Sequence, residues 1–202
     1  MKVVAVSQRV DDYPDRNERR DALDQRLIEF LLAAGYLPMP VPNSLFAERD
    51  GGETFEQWIT QNAPHAIVLS GGNDVGSCRS RDFTENSLLD YAEHNLVPVM
   101  GICRGMQVIG VRAGVELRTV AGHVRTRHTL SGEIVRNVNS YHNHVLAACP
   151  AGFDVWARSA DGEIEAIRHQ TLPWEGWMWH PEREPTFAVD DIARLKKLLG
   201  DH

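Results

Sequence analysis

The apolar run Leu96-Val97-Pro98-Val99-Met100 leads directly into Gly101-Ile102-Cys103-Arg104-Gly105-Met106-Gln107, and an apolar helical pattern follows through Val111. A buried strand entering a Gly-X-Cys-X-Gly turn is the sequence form of a nucleophile elbow, a sharp turn that exposes a nucleophile at the tip of a strand. Such a turn leaves little room for Cβ atoms, which accounts for the two glycines. The amides opening the next helix favour thiolate over thiol, and the thiolate is the nucleophile. The same logic makes the Arg104 amide one half of an oxyanion hole. Taken alone, Cys103 would suit a small core residue equally well.

A thiol nucleophile needs a base for its proton, and the base needs a third group to fix its tautomer. His180 and Glu182 stand two apart where the aromatic strand Glu175-Gly176-Trp177-Met178-Trp179 runs out, and Pro181 stiffens the pair. In an extended chain they would point to one side. By itself the pair also suits a solvated strand end. Ser70-Gly71-Gly72 closes another apolar strand, and the Gly72 amide is the natural second oxyanion donor, since a side chain there would block a substrate.

The elements that must position these groups alternate. Strands are expected at Val3 to Val6, Leu37 to Val41, Ala66 to Leu69 and Val97 to Ile102. Helices are expected at Asp21 to Ala34 (stopped by Gly35), Phe55 to Gln61 and Asn86 to His94, with a polar loop from Asp11 to Arg20. This order predicts an α/β fold of three layers, a mostly parallel sheet between helices, with sites at the carboxyl ends of its strands. Beyond Ala113, Glu116 to Thr119, Arg127 to Leu130, Glu133 to Val138, Val155 to Ser159 and Ile164 to Arg168 read as short antiparallel strands forming a small edge sheet. A last helix spans Asp190 to Leu199, N-capped by Asp190 or Asp191, with Gly200 past its end.

The 202 residues suit one domain, 1–202, with 43% hydrophobic and 24% charged residues. A net charge of −7 argues against nucleic acid as a partner. No run is long enough to span a membrane. Three cysteines, Cys78, Cys103 and Cys149, have no metal-type spacing, which favours a reducing compartment and a cytoplasmic protein.

Ser70-Gly71-Gly72, the Cys103 elbow and Trp179-His180-Pro181-Glu182, in this order and spacing, resemble the class I glutamine amidotransferase superfamily, whose domain is flavodoxin-like. The resemblance implies a Cys103, His180, Glu182 triad that opens a γ-glutamyl amide through a thioester, with Gly72 and Arg104 as the oxyanion amides. It implies that Gln107 holds the α-amino or α-carboxylate end of the glutamyl group. Arg104 after the nucleophile and Val138-Asn139-Ser140-Tyr141-His142 are similar to the γ-glutamyl-γ-aminobutyrate hydrolase branch, in which the latter segment lines the glutamyl pocket. The chain departs from that branch's pattern at Asn143 and His144. The chain is shorter than typical members of that branch, and the combination of these motifs resembles members that free a phosphoramidate nucleotide from its glutamyl group. The expected substrate is therefore a small γ-glutamyl compound, cleaved by a stand-alone hydrolase. The alternative is a glutaminase subunit that passes ammonia to a separate synthetase. Either reading allows a homodimer.

The remaining candidates have plainer readings. His142 and His144, two apart, could be joined by His180 around a metal, but no further well-spaced ligands accompany them and thiol chemistry needs none, so no metal or cofactor is expected. Arg9, Arg19 and Arg20 could meet a phosphate-bearing substrate or simply be solvated. Tyr141 could stack over a substrate or pack. Cys78, Cys149, Trp156, Trp174, Trp177 and Trp179 read as packing residues.

Overall fold

The structure, a computed structural model, describes residues 1–45 and 53–200. Its elements run β1 (Lys2–Ser7), β2 (Arg9–Tyr13), β3 (Glu18–Ala22), α1 (Gln25–Ala33), β4 (Tyr36–Val41), α2 (Glu53–Asn62), β5 (Ala66–Leu69), α3 (Arg79–Asn95), β6 (Val99–Ile102), α4 (Arg104–Arg112) and β7 (Leu117–Thr119). They continue with β8 (Val124–Thr129), β9 (Ser131–Gly132), β10 (Asn137–Tyr141), β11 (His144–Leu146), β12 (Phe153–Arg158), β13 (Ile164–His169), β14 (Trp174–Trp177) and α5 (Val189–Leu199).

An eight-stranded sheet in the order β4-β1-β5-β6-β14-β13-β12-β9 forms the middle layer, parallel from β4 to β14 and antiparallel beyond. Strand alternation builds two cores from one sheet. Val4, Val6, Ala66, Val68, Met100 and Ile102 face Leu27, Phe30 and Leu31 of α1 and Leu195 and Leu199 of α5. Ala5, Ile67, Leu69 and Val99 face the other way, onto Phe55 and Ile59 of α2, Leu88 and Leu89 of α3, and Met106 and Ile109 of α4. The register pairs Leu69 with Gly101 and Ile102 with Trp177. The carboxyl ends of β5, β6 and β14 therefore stand side by side, and Ser70, Cys103 and Met178 leave the sheet together. No helix among the described residues is long and apolar enough to cross a membrane.

Several expectations give way. Asp11 to Arg20 is not a loop but most of the hairpin β2–β3, in which Asp11 faces Arg20 and Asp12 faces Arg19. Opposite charges paired across strands stabilise a ribbon without an apolar face. Helix α1 begins at Gln25, because the Asp24 side chain accepts from the Arg26 amide at 2.9 Å and caps it there. Helix α3 begins at Arg79 rather than Asn86. Glu133 to Arg136 is irregular, and the strand starts at Asn137. The segments after Ala113 form no single edge sheet. β12, β13 and β9 extend the main sheet, while β8–β10 and β7–β11 are separate two-stranded ribbons. Helix α5 is N-capped by Ala188 without a side-chain bond, and Asp190 and Asp191 lie in its first turn, where carboxylates meet the positive end of the helix dipole.

Close approach of α4 to the sheet sets a testable constraint. A Cβ on Gly105 would lie 2.2 Å from the Leu69 carbonyl oxygen, whereas one on Gly110 would meet the movable end of Leu146 at 2.3 Å. Gly105→Ala is expected to cost about 2 kcal/mol or more. Gly110→Ala should cost less, because the gain in helix propensity, about 1 kcal/mol, offsets repacking. Urea unfolding measures both, and equal costs would contradict this reading of the contact.

Candidate active site

Cys103 sits between β6 and α4 with φ 52° and ψ −104°. Residues held in such sparsely populated backbone regions cost of order 1–3 kcal/mol. The surroundings enforce it. The Cys103 amide donates to the Trp177 carbonyl at 2.7 Å. A Cβ on Gly101 would come within 2.6 Å of the Gly105 backbone, so only glycine lets the chain fold back this tightly. The first helical bond of α4 runs from the Gln107 amide to the Cys103 carbonyl, 3.2 Å. The amides of Arg104, Gly105 and Met106 thus form the electropositive end of the helix at the thiol.

His180 follows the last sheet strand, and its ring packs on the Ser70-Gly71-Gly72 turn, where a Cβ on Gly71 would lie 2.6 Å from His180 Cε1. Glu182 reaches it through a single 3-10 turn, Pro181–Arg183, rather than by strand alternation. Glu182 Oε1 stands 2.6 Å from His180 Nδ1, and both side chains are buried. Burial alone would lower the His180 pKa. Negative charge on the Cys103 sulfur and on the Glu182 carboxylate, the latter bonded to the ring, outweighs it and raises it to about 9. Asn139 fixes the backbone of the same residue, accepting from the His180 amide at 3.0 Å and donating to its carbonyl at 2.7 Å.

Behind the glycine turn lies a buried ionic network that sequence reasoning missed. Arg81, with no exposed surface, donates to the carbonyls of Ser70 (2.7 Å), Gly71 (3.0 Å) and Gly72 (3.0 Å). It pairs with Glu85 at 3.0 Å, and Glu85 accepts from the Ser7 hydroxyl at 2.7 Å. The Arg104 side chain turns away from solvent to meet the same Glu85, and also Asp82 at 2.6 Å. Burial pulls both guanidinium groups below their usual range, Arg81 to about 10 and Arg104 to about 9. Gly72 itself adopts φ +91°, which suits glycine. The detectable signal was Arg81, Glu85 and Arg104 near two glycine turns, but no apolar periodicity marks Arg79 to Glu85 as helix.

The predicted pocket residues divide by strand face. On β10, Asn139 and Tyr141 face His180, the Tyr141 ring lying edge-on to it with centroids 5.9 Å apart. Ser140 points the other way and donates to the His123 carbonyl at 2.7 Å, and His142 is likewise buried on that side. Buried Gln107 donates to the His144 carbonyl at 3.0 Å. His144 is therefore tied to Gln107 through its backbone, while His142 does not join His180. A cavity of about 310 Å³ opens beside the histidine, lined by Arg9, Gly71, Gly72, His180, Glu182 and Arg183 among others. Arg19 and Arg20 lie on the exposed ribbon, Arg19 donating to Cys78 Sγ at 3.5 Å and Arg20 pairing with Glu18 at 2.6 Å. A larger cavity of about 690 Å³, between Arg136, Glu175 and Arg194, contains none of Cys103, His180 or Glu182. Trp174, Trp177 and Trp179 are buried, and all three cysteines are free thiols.

A thiol at an elbow, an imidazole bonded to a carboxylate and a glycine turn are the parts that acyl-transfer chemistry calls for. The profile of the class-I glutamine amidotransferase family matches residues 31–196. A γ-glutamyl-CDP-amidate hydrolase of Campylobacter jejuni is 28% identical over 138 residues, covering 65% of this chain and 68% of the relative. A glutamine-hydrolysing GMP synthase subunit of Pyrococcus abyssi is 32% identical over 152 residues, covering 68% of this chain and 77% of the relative. In fold the chain is similar to a Thermoplasma acidophilum protein assigned as a subunit of GMP synthase, with TM-score 0.71 and 22% identity over 99% of this chain and 93% of the other. The chain thus belongs to the class-I glutamine amidotransferase family.

Proposed function

We propose that this protein is a thiol-dependent hydrolase that opens a γ-glutamyl amide and releases L-glutamate together with an amine or a phosphoramidate. The observation that carries the reading is the 2.6 Å contact of His180 with Glu182 beside the strained Cys103 elbow. The Cys103 thiolate attacks the γ-carbonyl carbon, and the carbonyl electron pair moves to the oxygen, to which the Gly72 and Arg104 amides donate hydrogen bonds. The C–N bond then breaks as His180 gives its proton to the leaving nitrogen, and a γ-glutamyl thioester remains on Cys103. Water, deprotonated by His180, attacks the thioester. Glutamate leaves, and the thiol is restored. Glu182 holds the imidazole in the tautomer both steps need. Arg81 is a positioning residue, fixing the three carbonyls of the turn that presents the Gly72 amide.

The leaving half is the open choice within this chemistry. Arg9 and Arg183 on the wall of the cavity beside His180 support an anionic leaving group such as a nucleotide phosphoramidate, as in γ-glutamyl-CDP-amidate. The likeness to the Campylobacter jejuni hydrolase supports the same reading. The likeness to the Pyrococcus abyssi GMP synthase component favours the alternative, a glutaminase subunit whose ammonia passes to a separate synthetase. Glutamate release by the purified protein alone, from glutamine, γ-glutamyl-γ-aminobutyrate and γ-glutamyl-CDP-amidate, separates the two. A conjugate turning over well ahead of glutamine supports the hydrolase, and Arg9→Ala should then raise KM for the nucleotide conjugate only. Activity confined to glutamine, or appearing only with a synthetase, supports the alternative.

Cys103→Ala should abolish turnover with the fold intact, and His180→Ala should lower kcat by about 10³-fold or more. Glu182→Ala should be about ten- to a hundred-fold milder than His180→Ala, because its role is orientation. Full activity in Cys103→Ala would refute the mechanism. Because His180 must carry a proton to the leaving nitrogen, kcat/KM should fall as pH rises through about 9. Glu182→Gln removes a charge that raises that pKa, so the falling limb should move to lower pH, and an unmoved limb would contradict the assignment. Arg81→Lys keeps a cation beside Glu85 but cannot bridge three carbonyls. It should lower kcat more than it raises KM.

A further inference from the structure

On the inner side of the β8–β10 ribbon, His123, His128, His142 and Glu165 gather their ligand atoms within 4.8 Å of one another. They come from four places in the chain: the segment before β8, β8 itself, the residue after β10, and β13 of the main sheet. His123 Nδ1, His142 Nε2 and Glu165 Oε1 form a triangle with all three sides 3.4 Å. A regular tetrahedron with Zn–N and Zn–O bonds of about 2.1 Å has edges of about 3.4 Å. The buried Nε2 of His128, which has no hydrogen-bond partner among the described residues, is the candidate for the fourth corner.

The placement of protons points the same way. His123 Nε2 stands 2.8 Å from Asp161 Oδ2, and Asp161 also accepts from the Ser159 hydroxyl at 2.5 Å. His142 Nδ1 stands 3.2 Å from the His144 carbonyl. Each partner is an acceptor, so each ring places its proton there and turns a bare lone pair inward. Those lone pairs face each other and a Glu165 carboxylate that has no exposed surface and, among the described residues, no hydrogen-bond partner on either oxygen. Acceptors so arranged repel unless a cation sits among them. Imidazoles whose outer N–H binds a carboxylate or a backbone carbonyl are the usual oriented ligands of zinc.

We propose that His123, His128, His142 and Glu165 bind one zinc ion, in a structural site distinct from the Cys103 centre. Three imidazoles and one carboxylate are donors suited to zinc, and four protein ligands close the coordination shell, as in structural rather than catalytic zinc sites. The ion ties the ribbon to the main sheet. That ribbon carries Tyr141, against the His180 ring, and Asn139, which holds the His180 backbone. Sequence spacing groups His142 with His144 and His180 and predicts no metal. The fold instead takes His142 to three residues that sequence spacing keeps apart.

The test is the zinc content of untagged wild-type protein, dialysed against a chelator and then reconstituted with zinc chloride. The site predicts one zinc per chain after reconstitution, a melting temperature that falls on chelation and recovers with zinc, and a tetrahedral Co(II) spectrum without thiolate charge-transfer bands when cobalt replaces it. Glu165→Gln should lose most of the bound metal, while Cys103→Ala should keep it. Should Glu165→Gln fail to fold, the wild-type titration decides alone. Wild-type protein that takes up less than a tenth of an equivalent, and whose melting temperature zinc leaves unchanged, would overturn the proposal. So would a cobalt spectrum with sulfur ligation. None of these readings depends on turnover, so the site stands or falls separately from the proposed hydrolase activity.

Discussion

Everything at the centre of this protein turns on the backbone of one residue. Cys103 adopts φ 52° at the end of a buried parallel strand, and a non-glycine residue stays there only when its neighbours over-determine it. They do so from three directions. Trp177 on β14 accepts the Cys103 amide, Gly101 and Gly105 admit a backbone approach that no other residue would allow, and α4 presses its first turn against the Leu69 carbonyl. The parallel register of β5, β6 and β14 is thus a condition of the elbow, because it brings the three strand ends to one level.

The second requirement is a rigid turn opposite the elbow. A loop of Ser70-Gly71-Gly72 has too few side chains to hold itself. The fold supplies Arg81, whose fork caps three successive carbonyls, and Glu85 and Asp82 balance the two buried cations Arg81 and Arg104. Desolvating a guanidinium is costly, and the depressed pKa values of both arginines express that cost. One residue joins the two halves. The Arg104 amide opens the helix behind the thiol, while its side chain enters the network behind the glycine turn.

The apolar frame was legible because burial leaves a pattern. Continuous runs at Val3 to Val6, Ala66 to Leu69 and Val97 to Ile102 read as strands of a covered parallel sheet, and those strands are present, the last beginning at Val99. The elbow and the His-Pro-Glu segment were legible because Gly101 and Gly105 flank Cys103, and His180, Pro181 and Glu182 are consecutive in sequence. What escaped was structure stabilised by charge. The first turns of α3 carry Arg81, Asp82 and Glu85, whose buried face is ionic and so resembles a solvated one. The β2–β3 ribbon is held by alternating acids and bases and reads as a loop. The histidine cluster draws on four separated segments, and no local spacing marks it.

The central claim is that Cys103 becomes acylated. The direct measurement is the intact mass of acid-quenched protein caught during turnover of a γ-glutamyl amide, followed by peptide mapping. The account predicts a single added γ-glutamyl group on the peptide containing Cys103, accumulating further when release of the acyl group is slowed at low pH. Steady glutamate release with no adduct under any quench condition, or an adduct on Cys78 or Cys149 instead, would contradict it.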